Sequence, residues 1–464
     1  MKKLFKGAVV ASATAVLFAS CGTTSNASKA DFDAAYQSGD YDTCIEVVES
    51  RDSGSILNGL DASMLHYMKK DYASSGRRLT ETQSEMQSVS KDMTAAKTME
   101  AALIGENTVT YSGATYERIL AYSMKAVDSF KMGNISNAVG VMNDYTGNYK
   151  EEISDLIAQQ NEIARSSEGV MNDPKVVQAS EALSKAGLPV NLGKFTSNAP
   201  AASTAPVYEA SPFLSYLGTL AYAANGDSIH ANDFATVLKS TNSKVDVSKD
   251  LAIPAGKGRL DVVALADTIG KRSDGGKLEQ VGVLGNVILN FKIAYPVFEK
   301  QNHSVEVSKV KLSNGDSQSF ILIENFDDAV RNDVEQKARG AYNRSLFRNL
   351  TKNSAAVVAG VASLGKAQDA VNKASNPIQV KAAEKAYEVA VTTVNASLTE
   401  VVDAEKADIR QASYFPRTAS AAGFTVEPGT YTVTVEYSNG ANDVIENVAV
   451  AAGKPTVVIS EMFK

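Results

Sequence analysis

The chain holds three histidines, His66, His230 and His303, and their spacing argues against metal chemistry. None lies in the His-x-x-x-His or Glu-x-x-His pattern that puts two ligands on one helix face for zinc. They read as scattered helix and strand histidines. Ser363-Leu364-Gly365-Lys366 and Ser308-Lys309-Val310-Lys311 match Ser-x-x-Lys. A nucleophile of that kind needs a helix start and a Lys-Thr-Gly partner motif, and the chain has no Lys-Thr-Gly. The second copy also falls on an expected strand. Glu324, Asp327 and Asp328 stand at an expected helix start, where carboxylates favour the positive end of the helix dipole. The Asp-x-Asp-x-Asp-Gly spacing of a calcium loop is absent. There is no Gly-x-Ser-x-Gly elbow and no phosphate loop. Cys44, inside a helical pattern, reads as a small core residue. The expectation is a protein that is not an enzyme, with no catalytic residue, metal or dissociable cofactor. Lys69, Lys70, Arg77 and Arg78 form a basic cluster that would suit anionic headgroups or an acidic partner. Such a cluster is more often a solvated helix face.

The strongest chemistry lies near the N-terminus. Lys2, Lys3 and Lys6 precede an uncharged apolar run, Gly7 to Phe18, and then Phe18-Ala19-Ser20-Cys21. Small residues before a cleavage point suit a signal peptidase. The run is well short of the roughly 20 residues that a spanning helix needs. A cysteine directly after small residues resembles the lipobox of bacterial lipoproteins, with Phe18 where that motif usually has Leu. The resemblance implies a cleaved leader, residues 1–20, with Cys21 the lipid-attachment site carrying a covalent diacylglycerol and an N-acyl chain. Two or more acyl chains anchor stably. Gly22 rather than Asp after the cysteine implies the outer membrane, periplasmic side, as in lipoproteins of enteric type. Residues 21–29, small and polar, read as a tether.

The chain has 464 residues, a formal charge of -7 and two cysteines. Loss of the leader lysines makes the mature chain more acidic still. An acidic surface repels phosphate, so nucleic acid is not an expected partner. With Cys21 acylated, Cys44 has no disulfide partner.

The elements that must carry these residues are mainly helical. Helix, Gly or Lys turn, Asp or Asn, then helix recurs near 39, 70, 133 and 226. These hairpins resemble tetratricopeptide repeats, though their spacing is irregular, and a generic helical bundle with similar turns is the alternative. The expected fold class is α+β, mainly α. Residues 30–184 form a helical domain, 185–210 a Pro-rich linker and 211–256 a further helical hairpin. Residues 257–326 form a small sheet, with Val281 to Ala294 as one strand and Asn314-Gly315 as a hairpin turn. A long helical hairpin spans 327–412, broken at Asn376-Pro377. A C-terminal β module spans 413–464, its strands Thr430–Tyr437, Val444–Val450 and Thr456–Ile459.

Several segments, Lys69-Lys70-Asp71-Tyr72-Ala73-Ser74-Ser75, Tyr116-Glu117-Arg118-Ile119-Leu120-Ala121-Tyr122, Ser211-Pro212-Phe213-Leu214-Ser215-Tyr216-Leu217 and Ile293-Ala294-Tyr295-Pro296, carry a family likeness. Together they resemble an uncharacterised family of bacterial lipoproteins with tetratricopeptide-like helices. Where that family has Asp-x-Arg-x-Trp and then Leu-Pro, this chain has Asp408-Ile409-Arg410-Gln411-Ala412 and then Phe415-Pro416, which marks a divergent member. The resemblance implies no catalytic residue. It implies partners among other envelope proteins, including lipoproteins that activate cell-wall synthases. The resulting expectation is a membrane-anchored interaction scaffold or adaptor. The alternative is a carrier or sensor holding an apolar ligand between helical domain and sheet.

Overall fold

The computed structural model describes residues 26–52, 54–301 and 305–463. Cys21 and the leader lie outside them, as does His303. The fold is α+β and mainly helical. α1 (Asn26–Ser38) turns into α2 (Tyr41–Glu49), and α3 (Ser55–Met68) into α4 (Tyr72–Asp92). After α5 (Ala95–Ile104), α6 (Thr115–Lys131) turns into α7 (Ile135–Asp144). A π turn, Tyr145–Tyr149, carries α7 on into α8 (Lys150–Gly169). Then come α9 (Pro174–Lys185) and α10 (Leu192–Ser197). α11 (Pro212–Asn225) and α12 (Ser228–Thr241) form a fourth hairpin, followed by the single turn α13 (Ser248–Leu251).

All four hairpins close by one local device. A left-handed residue follows the first helix: Gly39 (φ 77°), Lys70 (66°), Gly133 (66°) and Gly226 (82°). Its successor donates N–H to the carbonyl five residues back, as in Asp71 to His66 at 2.9 Å. That successor, Asp40, Asp71, Asn134 or Asp227, then caps the second helix with its side chain. The hairpins stack in series, α2 on α3, α4 on α6 and α7 on α11. The array is therefore continuous in space although its turns are unevenly spaced in sequence, because α5 and α8–α10 are insertions between hairpins. Lys70 is the one side-chain-bearing residue among the four left-handed positions. Lys70→Gly should raise stability by about 0.5–1 kcal/mol, relief of left-handed strain outweighing glycine's entropy, as read by urea unfolding.

The strands fold into a sandwich against this array. They are β1 (Gly258–Thr268), β2 (Lys271–Asp274), β3 (Leu278–Leu284), β4 (Val287–Lys292), β5 (Pro296–Glu299), β6 (Val307–Leu312), β7 (Ser317–Ser319) and β8 (Ile321–Asn325). The long helices α14 (Phe326–Lys373) and α15 (Pro377–Ala404) intervene before β9 (Pro416–Val426), β10 (Gly429–Tyr437), β11 (Asn442–Val450) and β12 (Pro455–Met462). While β2-β5 and β3-β4 form two separate two-stranded sheets, there are two four-stranded sheets, of which one runs β12-β1-β9-β8 and the other β11-β10-β6-β7. The regions 257–326 and 413–464, read from sequence as separate, thus share both sheets. β1 explains why. Val263 and Leu265 join the core of the helical array, while Leu260, Val262 and Ala264 face Val433 and Val435 of the second sheet. A strand covered on both faces needs partners on both edges, and β9 and β12 supply them.

Two further readings change. Val281–Ala294 is not one strand but the hairpin β3–β4, broken at Gly285, whose φ is 57°. The Gly-Asn pair at 285–286 is a turn signal for that geometry. Within 185–210, Leu188 and Phe195 are buried, and α10 occupies part of the stretch read as linker. These residues pack with Phe291, Leu346 and Leu398 in a third core. α14, about 70 Å long at 1.5 Å per residue, links this core to the main one. Among the described residues, no helix is long and apolar enough to cross a membrane.

Burial raises the carboxyls of Asp61 to about 7, Glu324 to about 7 and Asp128 to about 8, and it raises Asp261 well above the usual range too. Unfolded carboxyls titrate near about 4. Their folded forms therefore hold protons more tightly, and the stability they contribute is present at low pH and lost as pH rises from about 5 through 8. Urea midpoints should fall between about pH 5 and about pH 8, and Asp128→Asn should flatten that fall. Burial raises the Asp128 carboxyl most, the neighbouring Asp71 charge adds to it, and the Ser75 hydroxyl offsets only part of the rise.

Candidate functional site

The helical array carries the first sheet along its first helices. The first sheet packs there through β12 against α6 and α11. Tyr67 of α3 meets Phe463, and Lys131 of α6 donates to the Ile459 carbonyl at 2.9 Å. The extended segment after α15 lies across the same helices. Ser413 N–H donates to Asp61 and Ala412 N–H to Glu117, each at 2.7 Å, while Tyr414 stacks on Tyr36.

A cavity of about 390 Å³ opens where the insertions meet α14. Its apolar wall includes Val109, Leu156, Ile163 and Val207. Its polar wall holds Arg272 of β2, Lys337, Arg339 and Arg344 of α14, and Arg410. Residues 200–207 form an extended strap over α14, tied by their carbonyls. Asn332 donates to Pro206 at 2.6 Å, Gln336 to Ala205 at 3.3 Å and Arg339 to Pro200 at 3.2 Å. Pro200, Pro206 and the small residues between them explain the extended strap: proline removes N–H donors and disfavours helix.

Three carboxylates around the cavity are fully engaged. Asp333 accepts from Arg272 Nη2 at 2.6 Å and from Lys337 at 2.8 Å. Those two cations hold its carboxyl below the usual range, against burial. Asp408 takes Arg410 bidentately, at 2.8 and 2.9 Å, and is likewise held down against burial by that arginine. Glu106 accepts from Arg344 Nε and Nη2 at 2.9 and 2.7 Å. Behind it Arg348, 1% exposed, reaches Glu106 at 3.1 Å and Glu405 at 2.8 Å. Helix α15 ends before Glu405, short of the sequence expectation, and the chain turns this carboxylate inward to Arg348. The groups left without hydrogen-bond partners are donors: among the described residues, Arg272 Nε, Arg339 Nε and the Thr98 hydroxyl are buried and unsatisfied.

The residues singled out from sequence lie elsewhere. Lys69 and Lys70 are exposed at the α3–α4 turn, with Lys69 paired to Asp42 at 2.5 Å. Arg77 donates to Ser74, and Arg78 lies 3.7 Å from Glu49 and 3.4 Å from Glu81. Cys44 is fully buried beside Phe32 and Val48. Ser363 and Lys366 are exposed on α14, and Ser308 and Lys311 lie on β6. Glu324 does not sit on α14. It ends β8 and serves α11 instead, accepting from Ser211 Oγ at 2.5 Å, from Phe213 N–H at 3.0 Å and from Tyr208. His66 lies 3.8 Å from Asp71, its pKa lowered mainly by burial. His230 stacks on Tyr222 and bonds Asp227 at 2.7 Å, beside a second groove of about 770 Å³ between the π turn, α8 and α12. No cluster of three or more His, Cys, Asp or Glu suited to a metal occurs among the described residues. The cavity residues escaped the sequence reading because Arg272, Arg339 and Arg410 share no motif. The Asp408-x-Arg410 pair within the family-like segment was the one local signal.

No family model, no curated protein and no solved structure matches this chain.

Proposed function

We propose that this chain is a lipoprotein tethered through Cys21 whose body is a non-enzymatic carrier or sensor. It binds one small molecule in the cavity beneath the 200–207 strap. The observation that carries the reading is an internal space of about 390 Å³ at the junction of three parts of the fold. Its wall combines apolar side chains with buried donors that no protein group answers. Binding sites are typically of this size and makeup, set between packed units. The packing of β12 on α6 and α11 leaves less of the hairpin array's inner face for a peptide, which favours the cavity over a groove as the binding site. The test is native mass spectrometry on protein extracted from the membrane of the producing cells. A bound small molecule released on denaturation supports the reading, and an empty protein under all extraction conditions counts against it. Cys21→Ser should move the protein from the membrane to the soluble fraction, with fatty acid lost from its N-terminus.

An adaptor role keeps one observation in its favour. The far ends of α14 and α15 pack mainly on each other and expose Ile378 (82%) and Val389 (56%). Crosslinkers placed at Ile378 in intact cells test it, through capture of one defined envelope partner.

A further inference from the structure

We infer that the cavity takes a small amphipathic carboxylate, its head on the Arg272 and Arg339 side and its body against Val109, Leu156 and Ile163. This rests on the reading of the cavity as a binding site. The polar wall decides the head group. Apart from Glu168, which is 59% exposed, the carboxylates there already accept from arginine or lysine of the protein: Asp333, Asp408 and Glu106 each hold two or more donors. An amine would therefore find no unengaged acceptor among them. The unanswered groups are guanidinium N–H of Arg272 and Arg339, with the Thr98 hydroxyl. Arginine N–H groups only donate and stay charged, so they call for an acceptor.

A carboxylate suits these donors better than a neutral oxygen, because charge-assisted hydrogen bonds are shorter and about twice as strong. Arg272 is 7% exposed and cannot turn to water for a partner. Its Nη1 and Nη2 are committed to the Arg410 carbonyl at 3.2 Å and to Asp333 at 2.6 Å, which fixes the plane of the guanidinium and leaves Nε without a partner among the described residues. Arg339 has Glu168 3.8 Å from its Nε, outside hydrogen-bond range, so that carboxylate weakens the local positive field without satisfying the donor. The apolar wall then accounts for the rest of the ligand, since those side chains gain by losing contact with water.

The experiment is calorimetric titration of the full chain, carrying Cys21→Ser to keep acyl chains out of the sample, with octanoate, octanol and octylamine. Octanoate should saturate one site, with octanol weaker by about tenfold and octylamine giving no saturable heat. Arg339→Gln, at a side chain 40% exposed and outside the hydrophobic cores, should weaken octanoate by about tenfold and leave octanol unchanged. Thr98→Val gives the same contrast at a second position. Equal affinity for octanoate and octanol overturns the carboxylate assignment while leaving the cavity a binding site. Failure of all three probes removes the cavity reading itself. Octanoate binding indifferent to both variants places the site elsewhere and overturns the assignment.

Discussion

Replacing Ala164 by Trp is expected to abolish uptake by the cavity while leaving the fold intact. Ala164 lies on α8, exposed, with its methyl group on the cavity wall. It contributes to no core and accepts no contact that an indole would break. An indole there takes up space that a ligand needs, within a void of only about 390 Å³. Affinity for any occupant should fall at least about tenfold, whereas an exposed substitution moves stability by no more than about 0.5 kcal/mol. Calorimetric titration and thermal unfolding of the same sample separate the two effects. Binding retained in full by Ala164→Trp would place the ligand outside this cavity.

Arg348→Met is expected to destabilise the chain by about 3–5 kcal/mol. Arg348 is the fully buried centre of a network spanning α5, α14 and the start of the extended segment. It donates to the Ala102 carbonyl at 2.5 Å, to Glu106 at 3.1 Å and to both oxygens of Glu405, at 2.8 to 3.1 Å. Removing it leaves Glu405, 1% exposed, with only the Ser345 hydroxyl in its place. A carboxylate stranded in a buried site costs several kcal/mol, whereas removing both partners together avoids that cost. The double variant Arg348→Met with Glu405→Gln should therefore recover more than half of the loss. Urea unfolding of the two single variants and the double variant measures the coupling. A loss below about 1 kcal/mol for Arg348→Met would mean that the network is hydrated and adds little.

The two predictions divide along what local sequence can and cannot specify. The four hairpin turns were legible because their physics is complete within six residues. Gly39-Asp40, Lys70-Asp71, Gly133-Asn134 and Gly226-Asp227 each supply a left-handed position and a cap, and no distant group is needed. The run Arg259 to Ala266, with Leu260, Val262, Val263 and Leu265, likewise reads as a strand from its own residues, and it forms most of β1. Its pairing does not: β1 lies parallel to β12 and antiparallel to β9, both beyond the long helical hairpin. β9 itself hides in sequence, because its inward residues are Ala419 and Ala421, small enough to let helices approach and too small to show an alternating pattern.

The sequence by itself determined the mainly helical α+β class and the hairpin turns, both of them set by residues close together along the chain. Only the tertiary structure decided that two separated groups of strands make one sandwich and that this sandwich covers the array. It alone decided that Arg272, Arg339 and Thr98 meet around one cavity. The reason is physical: strand edges and buried charges are satisfied by whatever group lies nearest in space. For Arg272 that group is Asp333, on another element, and for its Nε it is no group of the described protein at all.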